Sequence, residues 1–183
     1  MTAKAKPNRF LAGVIAVYGL VFVATAIAPR DFSIWLIENL LVFAFLGILV
    51  FTHRRFAFSN LSYLLIAIFL SLHAIGTNTG YAHSGIGNWL KEAFALKRNY
   101  YDRLIHFSFG LLLAYPVREL LARLAGVSKR ASDWYAVSLI MAASSIFEVL
   151  EWNVAEIVSP GTGPDWLGAQ VTNGIRISTC WWR

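Results

Sequence analysis

The sequence predicts an all-α, polytopic membrane protein with about five transmembrane helices, and three observations carry that prediction. The 183 residues are 57% hydrophobic and only 14% charged, whereas an average soluble domain is about a quarter charged. Mainly apolar runs recur at lengths near the roughly 20 residues that cross about 30 Å of hydrocarbon as a helix. Alternating apolar and polar positions over about ten residues, the mark of a membrane strand, do not recur. Backbone groups in lipid must be satisfied within their own segment, so each run is read as a helix.

The first run, Phe10 to Ala28, carries no charge and ends at Pro29-Arg30-Asp31. Lys4, Lys6 and Arg9 before it also fit a signal peptide, but the run is long for an h-region and further spans follow. The second runs from Phe32 to Phe51 and contains Glu38 and Asn39. The third covers Ala57 to Ile75, the fourth Leu104 to Leu121 and the fifth Trp134 to Val158. Between the third and fourth, Ile86, Leu90, Phe94 and Leu96 are spaced for a short interfacial helix with Trp89 as its anchor. No repeat or low-complexity linker divides the chain, so residues 1–170 read as one transmembrane domain.

The composition argues against an ordinary soluble enzyme, a disordered tail and a disulfide scaffold, since Cys180 is the single cysteine. The net charge of +6 does not point to nucleic acid, because the basic residues fall in short groups between spans. Lys4, Lys6, Arg9, Arg54, Arg55, Arg118, Arg123, Lys129 and Arg130 share one side. Arg30, Lys91, Lys97 and Arg98 share the other. The excess of positive charge predicts a cytoplasmic N-terminus and an outer loop over residues 77–100.

At a rise of about 1.5 Å per residue, Glu38, His73, Asp102, Arg103, His106, Glu148 and Glu151 all fall in the outer part of their helices. Ionisable groups within a span are costly and usually meet a partner or a cavity. Asp102 and His106 are four apart, and Glu148 and Glu151 three apart, so each pair shares a helix face. Two such faces brought together would suit acid–base chemistry, a proton relay or a divalent cation, and Arg103 would hold an anionic group such as a lipid phosphate. The plainer alternatives are that Asp102 complements a helix dipole and that His106 is a packed histidine. Glu38, His73 and His83 stand alone in their segments and read as structural or solvated. Arg118 and Glu119 read as a boundary ion pair, and Trp35, Trp89, Trp134 and Trp152 as interfacial belts.

These motifs resemble a known family. Tyr101-Asp102-Arg103-Leu104-Ile105-His106-Phe107, then Phe109-Gly110-Leu111-Leu112, Arg118-Glu119 and Ser145-Ile146-Phe147-Glu148-Val149-Leu150-Glu151-Trp152 resemble the YjdF-like uncharacterised bacterial inner-membrane proteins. More distantly, the pattern is similar to VanZ-like proteins. The resemblance implies a multi-pass protein of unassigned activity, with a sixth helix opened by Gly-Asp, Trp-Asp and Asp-Met after Gln170. Residues 171–183 do not follow that pattern. Codons exist for this tail that, with one G restored before them, read Gly-Asp-Glu-Trp-Asp-Ser-His-Phe-Asp-Met-Leu-Val-Ala. The tail is therefore expected to be an out-of-frame segment.

Three functions stay open at this point: an enzyme or binder of envelope lipids and their head groups, a proton- or cation-coupled transporter, and a structural membrane protein without a site. Neither residues nor resemblance chooses among them, because function lives in the site rather than the fold.

Overall fold

The first three helices each begin at a polar side chain that caps an apolar run. The computed structural model describes the backbone of residues 8–158, 171–172 and 175–176, with side chains described through residue 150 and at Asn153. Helix α1, Arg9–Ala26, opens at Asn8, whose side chain accepts from the Leu11 N–H at 3.1 Å. Helix α2, Phe32–Thr52, opens at Asp31, which accepts from Ser33 and Ile34 at 2.9 and 3.0 Å. Helix α3, Asn60–Thr79, opens at Ser59, which accepts from Ser62. Such caps satisfy backbone donors that the first turn leaves without partners.

A short 3-10 turn, Tyr81–His83, and the expected short helix, α4 at Gly85–Ala93, lead to α5, Tyr101–Leu124, and α6, Lys129–Val158. α1, α2, α3 and α5, with residues 129–150 of α6, are long and apolar enough to cross a membrane. A two-residue antiparallel pairing, Val171–Thr172 with Ile175–Arg176, is the sole strand structure among the described residues. The rest of the 171–183 tail lies outside them.

Several span boundaries differ from the sequence reading: α1 ends at Ala26 rather than Ala28, α3 at Thr79 rather than Ile75 and α5 at Leu124 rather than Leu121, and α6 starts at Lys129 rather than Trp134. The third span starts at Asn60 rather than Ala57, because Ser59 caps the helix there. The fourth starts at Tyr101 rather than Leu104, so Asp102 and Arg103 lie inside its first turn. An acid in that position is favoured by the helix dipole.

Helix α3 packs against α1, α2 and α5, and α6 packs against α5. Its buried positions, Ser62, Ile66, Leu70, His73, Ala74 and Thr77, recur at helical spacing. Val42 of α2 joins Ile66 and Leu70 in one core cluster, with Tyr18, Leu46 and Leu113 packed around it. A second cluster of Tyr81, Tyr101 and Ile105 lies at the α4 end of the bundle. Outward faces stay apolar: Leu20, Val50, Phe51, Leu111 and Met141 are all exposed. Water would penalise that surface, whereas acyl chains solvate it, so packing is left to small and polar contacts between helices.

Trp35 does not sit in an interfacial belt. It is 8% exposed and packs among Phe22, Phe32 and Phe43, because its position on α2 turns it toward α1 rather than outward. Trp89 and Trp134 are exposed, as belt residues would be. The Trp152 side chain lies outside the described residues.

Candidate acid–histidine site

The site is assembled where α5 and α6 run side by side. On α6, Ser132, Ala136 and Ile140 are buried at successive i, i+4 positions, and Gly110 of α5 faces Ile140. That seam continues toward the α4 end, where the His106 ring meets Phe147 at a centroid distance of 6.3 Å.

There the imidazole stands between two carboxylates. His106 Nε2 is 3.5 Å from Asp102 Oδ1, one turn earlier on α5, and 3.3 Å from Glu148 Oε1 on α6. The His106 and Asp102 side chains are about a quarter exposed and Glu148 about half. Three of the four residues singled out by spacing are thus brought together. The fourth, Glu151, lies on α6, but its side chain is outside the described residues.

Both acids meet the same ring nitrogen. That is an arrangement for holding a proton donor between two acceptors, rather than for three ligands around a common centre. Among the described residues no three His, Cys, Asp or Glu side chains are grouped to hold a metal ion.

The start of α5 is fixed by residues that spacing alone did not reveal. Asn99 accepts from the Tyr101 N–H at 2.9 Å and donates to Ser84 O at 3.0 Å and Asn88 Oδ1 at 2.9 Å, tying α4 to α5. Gly87 lies directly against the Asn99 amide, with no room for a Cβ. Tyr101 is fully buried, donates to Leu72 O at 2.8 Å and stacks on Tyr81. Asp102 and Arg103 are therefore presented from a rigid first turn. Arg98 and Arg103 both place their guanidinium groups 5.0 Å from the centre of the Tyr100 ring.

His73 is a packed histidine. It is buried beneath the same end of the bundle, and its Nδ1 is 2.9 Å from the Tyr81 hydroxyl. Asn39, also fully buried, donates to Trp35 O and to Thr77 Oγ1.

Arg118 and Glu119 do not form the boundary pair expected of them. Neighbours in a helix point about 100° apart, so each finds a different partner. Arg118 binds Asp133 of α6. Glu119, buried, binds Arg123 and accepts from the Ser59 N–H at 2.9 Å, the Ser59 hydroxyl at 2.8 Å and the Ser62 hydroxyl. A cavity of about 280 Å³ at that same end, between α1, α2 and α3, is lined mostly by apolar side chains with Tyr18, His53 and Tyr63.

Five membrane-length helices with an ionisable cluster at one end define a multi-pass helical membrane protein. The chain belongs to the family described as Predicted membrane protein (DUF2238), whose pattern matches residues 10–174. It is YjdF-like: it is 33% identical over 152 residues to Inner membrane protein YjdF of Escherichia coli (strain K12), covering 82% of this chain and 72% of that protein. No solved structure matches it significantly.

Proposed function

We propose that this protein works on the polar head groups of envelope lipids, through His106 and its two carboxylates, at the outer face of the inner membrane. The observation that carries the reading is His106 Nε2 held within 3.5 Å of acids from two helices. Paired acids fix the orientation of the imidazole and offer acceptors to its N–H, which is what a group that exchanges protons with a bound hydroxyl or phosphoester needs. Asp102 is the orienting acid, one turn away on the same helix, and Glu148 is the more exposed acid that a ligand reaches first. Glu151, three residues on, supplies a further carboxylate to that end of α6, and Arg103 holds the anionic part of the head group.

The distribution of Lys and Arg supports a cytoplasmic N-terminus, with this site on the opposite side. A transporter would need ionisable groups free to act along the whole path. At the other end of the bundle Glu119 is instead bound by two serines and Arg123. A purely structural bridge would bury Glu148, which is about half exposed.

The test compares membrane lipid profiles of cells producing the wild type, Glu148→Gln and, as a control at the far end, Asp133→Asn. Wild type and the control are expected to shift head-group composition relative to cells without the protein. Identical profiles for wild type and Glu148→Gln, at equal membrane levels, would overturn the proposal.

The tail belongs to the same proposal. An in-frame continuation would add carboxylates to this end through a sixth helix, and reading the DNA after the Gln170 codon decides it. The idea stands only if one inserted base opens the family's Gly-Asp, Trp-Asp and Asp-Met frame.

A further inference from the structure

We infer that Arg98 and Arg103 form a phosphate-binding site beside the acid–histidine group, with Arg98 as its buried half. This rests on the head-group reading above and names the chemistry the ligand must carry.

Arg98 is only 8% exposed, which is unusual for an arginine with no carboxylate partner among the described residues. Its Nη1 is buried and meets no hydrogen-bond acceptor among the described residues. A buried cationic donor without an acceptor is strongly disfavoured unless a ligand supplies one. The same guanidinium lies 5.0 Å from the centre of the Tyr100 ring, and so does that of Arg103. An anion within reach of both guanidinium groups would meet two positive charges at once.

Tyr100 is also the residue from which α5 begins, and its side chain makes no capping hydrogen bond. The Tyr101 N–H is instead taken by Asn99, and Asp102 lies in the same first turn, so the site rests on the two guanidinium groups and not on the helix end. At about 100° per residue, Arg103 lies roughly 60° around the helix from His106. An oxyanion on the arginines would thus hold the rest of its molecule next to His106 and Glu148.

Planar guanidinium groups match the oxygens of phosphate two at a time. A lipid phosphodiester and free phosphate share that chemistry, so the experiment separates them.

The full chain is purified in a maltoside detergent without phosphate. Inorganic phosphate is titrated in one arm, and phosphatidylglycerol, against diacylglycerol, in the other, with intrinsic fluorescence and the thermal midpoint as readouts. Saturable binding is expected in at least one arm, weakened about tenfold or more in Arg98→Gln and unchanged in Lys91→Gln. Response to phosphatidylglycerol alone assigns a lipid phosphate; response to both assigns the phosphate group itself.

Absence of binding in both arms, equal binding by wild type and Arg98→Gln, or equal response to acetate overturns the inference. Should Arg98→Gln fail to fold, Arg98→Lys keeps the charge but loses the fork, and wild-type affinity in that variant overturns it as well. Loss of phosphate binding leaves the lipid-profile effect of Glu148→Gln intact if only this inference fails. Loss of that effect with phosphate binding retained removes the catalytic reading alone.

Discussion

Removing the carboxylate of Glu119 should loosen the end of the bundle opposite the proposed site. The Glu119 side chain, 8% exposed, accepts from the Ser59 backbone and hydroxyl, the Ser62 hydroxyl and Arg123. Arg123 in turn donates to Ala57 O at 2.9 Å and lies over the Phe56 ring. One carboxylate therefore ties the α2–α3 loop and the first turn of α3 to α5.

Hydrogen bonds to a charged acceptor contribute about 1.5–3 kcal/mol each, and breaking a buried charged network by removing one member costs about 3–5 kcal/mol. Arg123 is half exposed, so its share is small, and the three donors on Ser59 and Ser62 dominate. Glu119→Ala is thus expected to lose about 3–5 kcal/mol, and Glu119→Gln about 1–3 kcal/mol, since the amide keeps one acceptor oxygen but loses the charge. Titration with SDS in mixed micelles, followed by helicity, measures both against wild type. Loss of less than about 1 kcal/mol in Glu119→Ala would refute the argument.

Two further outcomes follow from the geometry. Gly76→Ala places a Cβ against the Tyr81 ring, which holds His73. It should cost about 1–3 kcal/mol by overpacking in the same SDS titration, while Gly47→Ala, where nothing lies within 4 Å, should cost nothing measurable. In a Cys180→Ser background, cysteines placed at Lys91 and Arg54 should react with a membrane-impermeant maleimide in intact cells at Lys91 only. Labelling at Arg54 instead would reverse the orientation.

The candidate site was partly legible from spacing. Asp102 and His106 share a helix face by arithmetic, and an acid at residue 148 stood out because few carboxylates occur inside apolar runs. Arg98 was read as a loop charge because burial of a loop residue depends on what folds over it. Here that is the α4–α5 connection knotted by Asn99. His73 and Tyr81 are eight residues apart, and no periodicity brings them together; the turn after α3 does.

By itself, then, the sequence determined the class of protein, the number of described spans and the level at which their polar residues lie. Each of these depends on composition and on rise per residue, which are local properties of the chain. Only the tertiary structure decided that Glu148 reaches His106, that Glu119 turns to α3 rather than to Arg118, and that Trp35 is buried. Those facts depend on which face each helix turns toward its neighbour. In a chain that is apolar on nearly every face, that choice leaves no hydrophobic stripe to read, so it falls to small residues and a few polar contacts between helices.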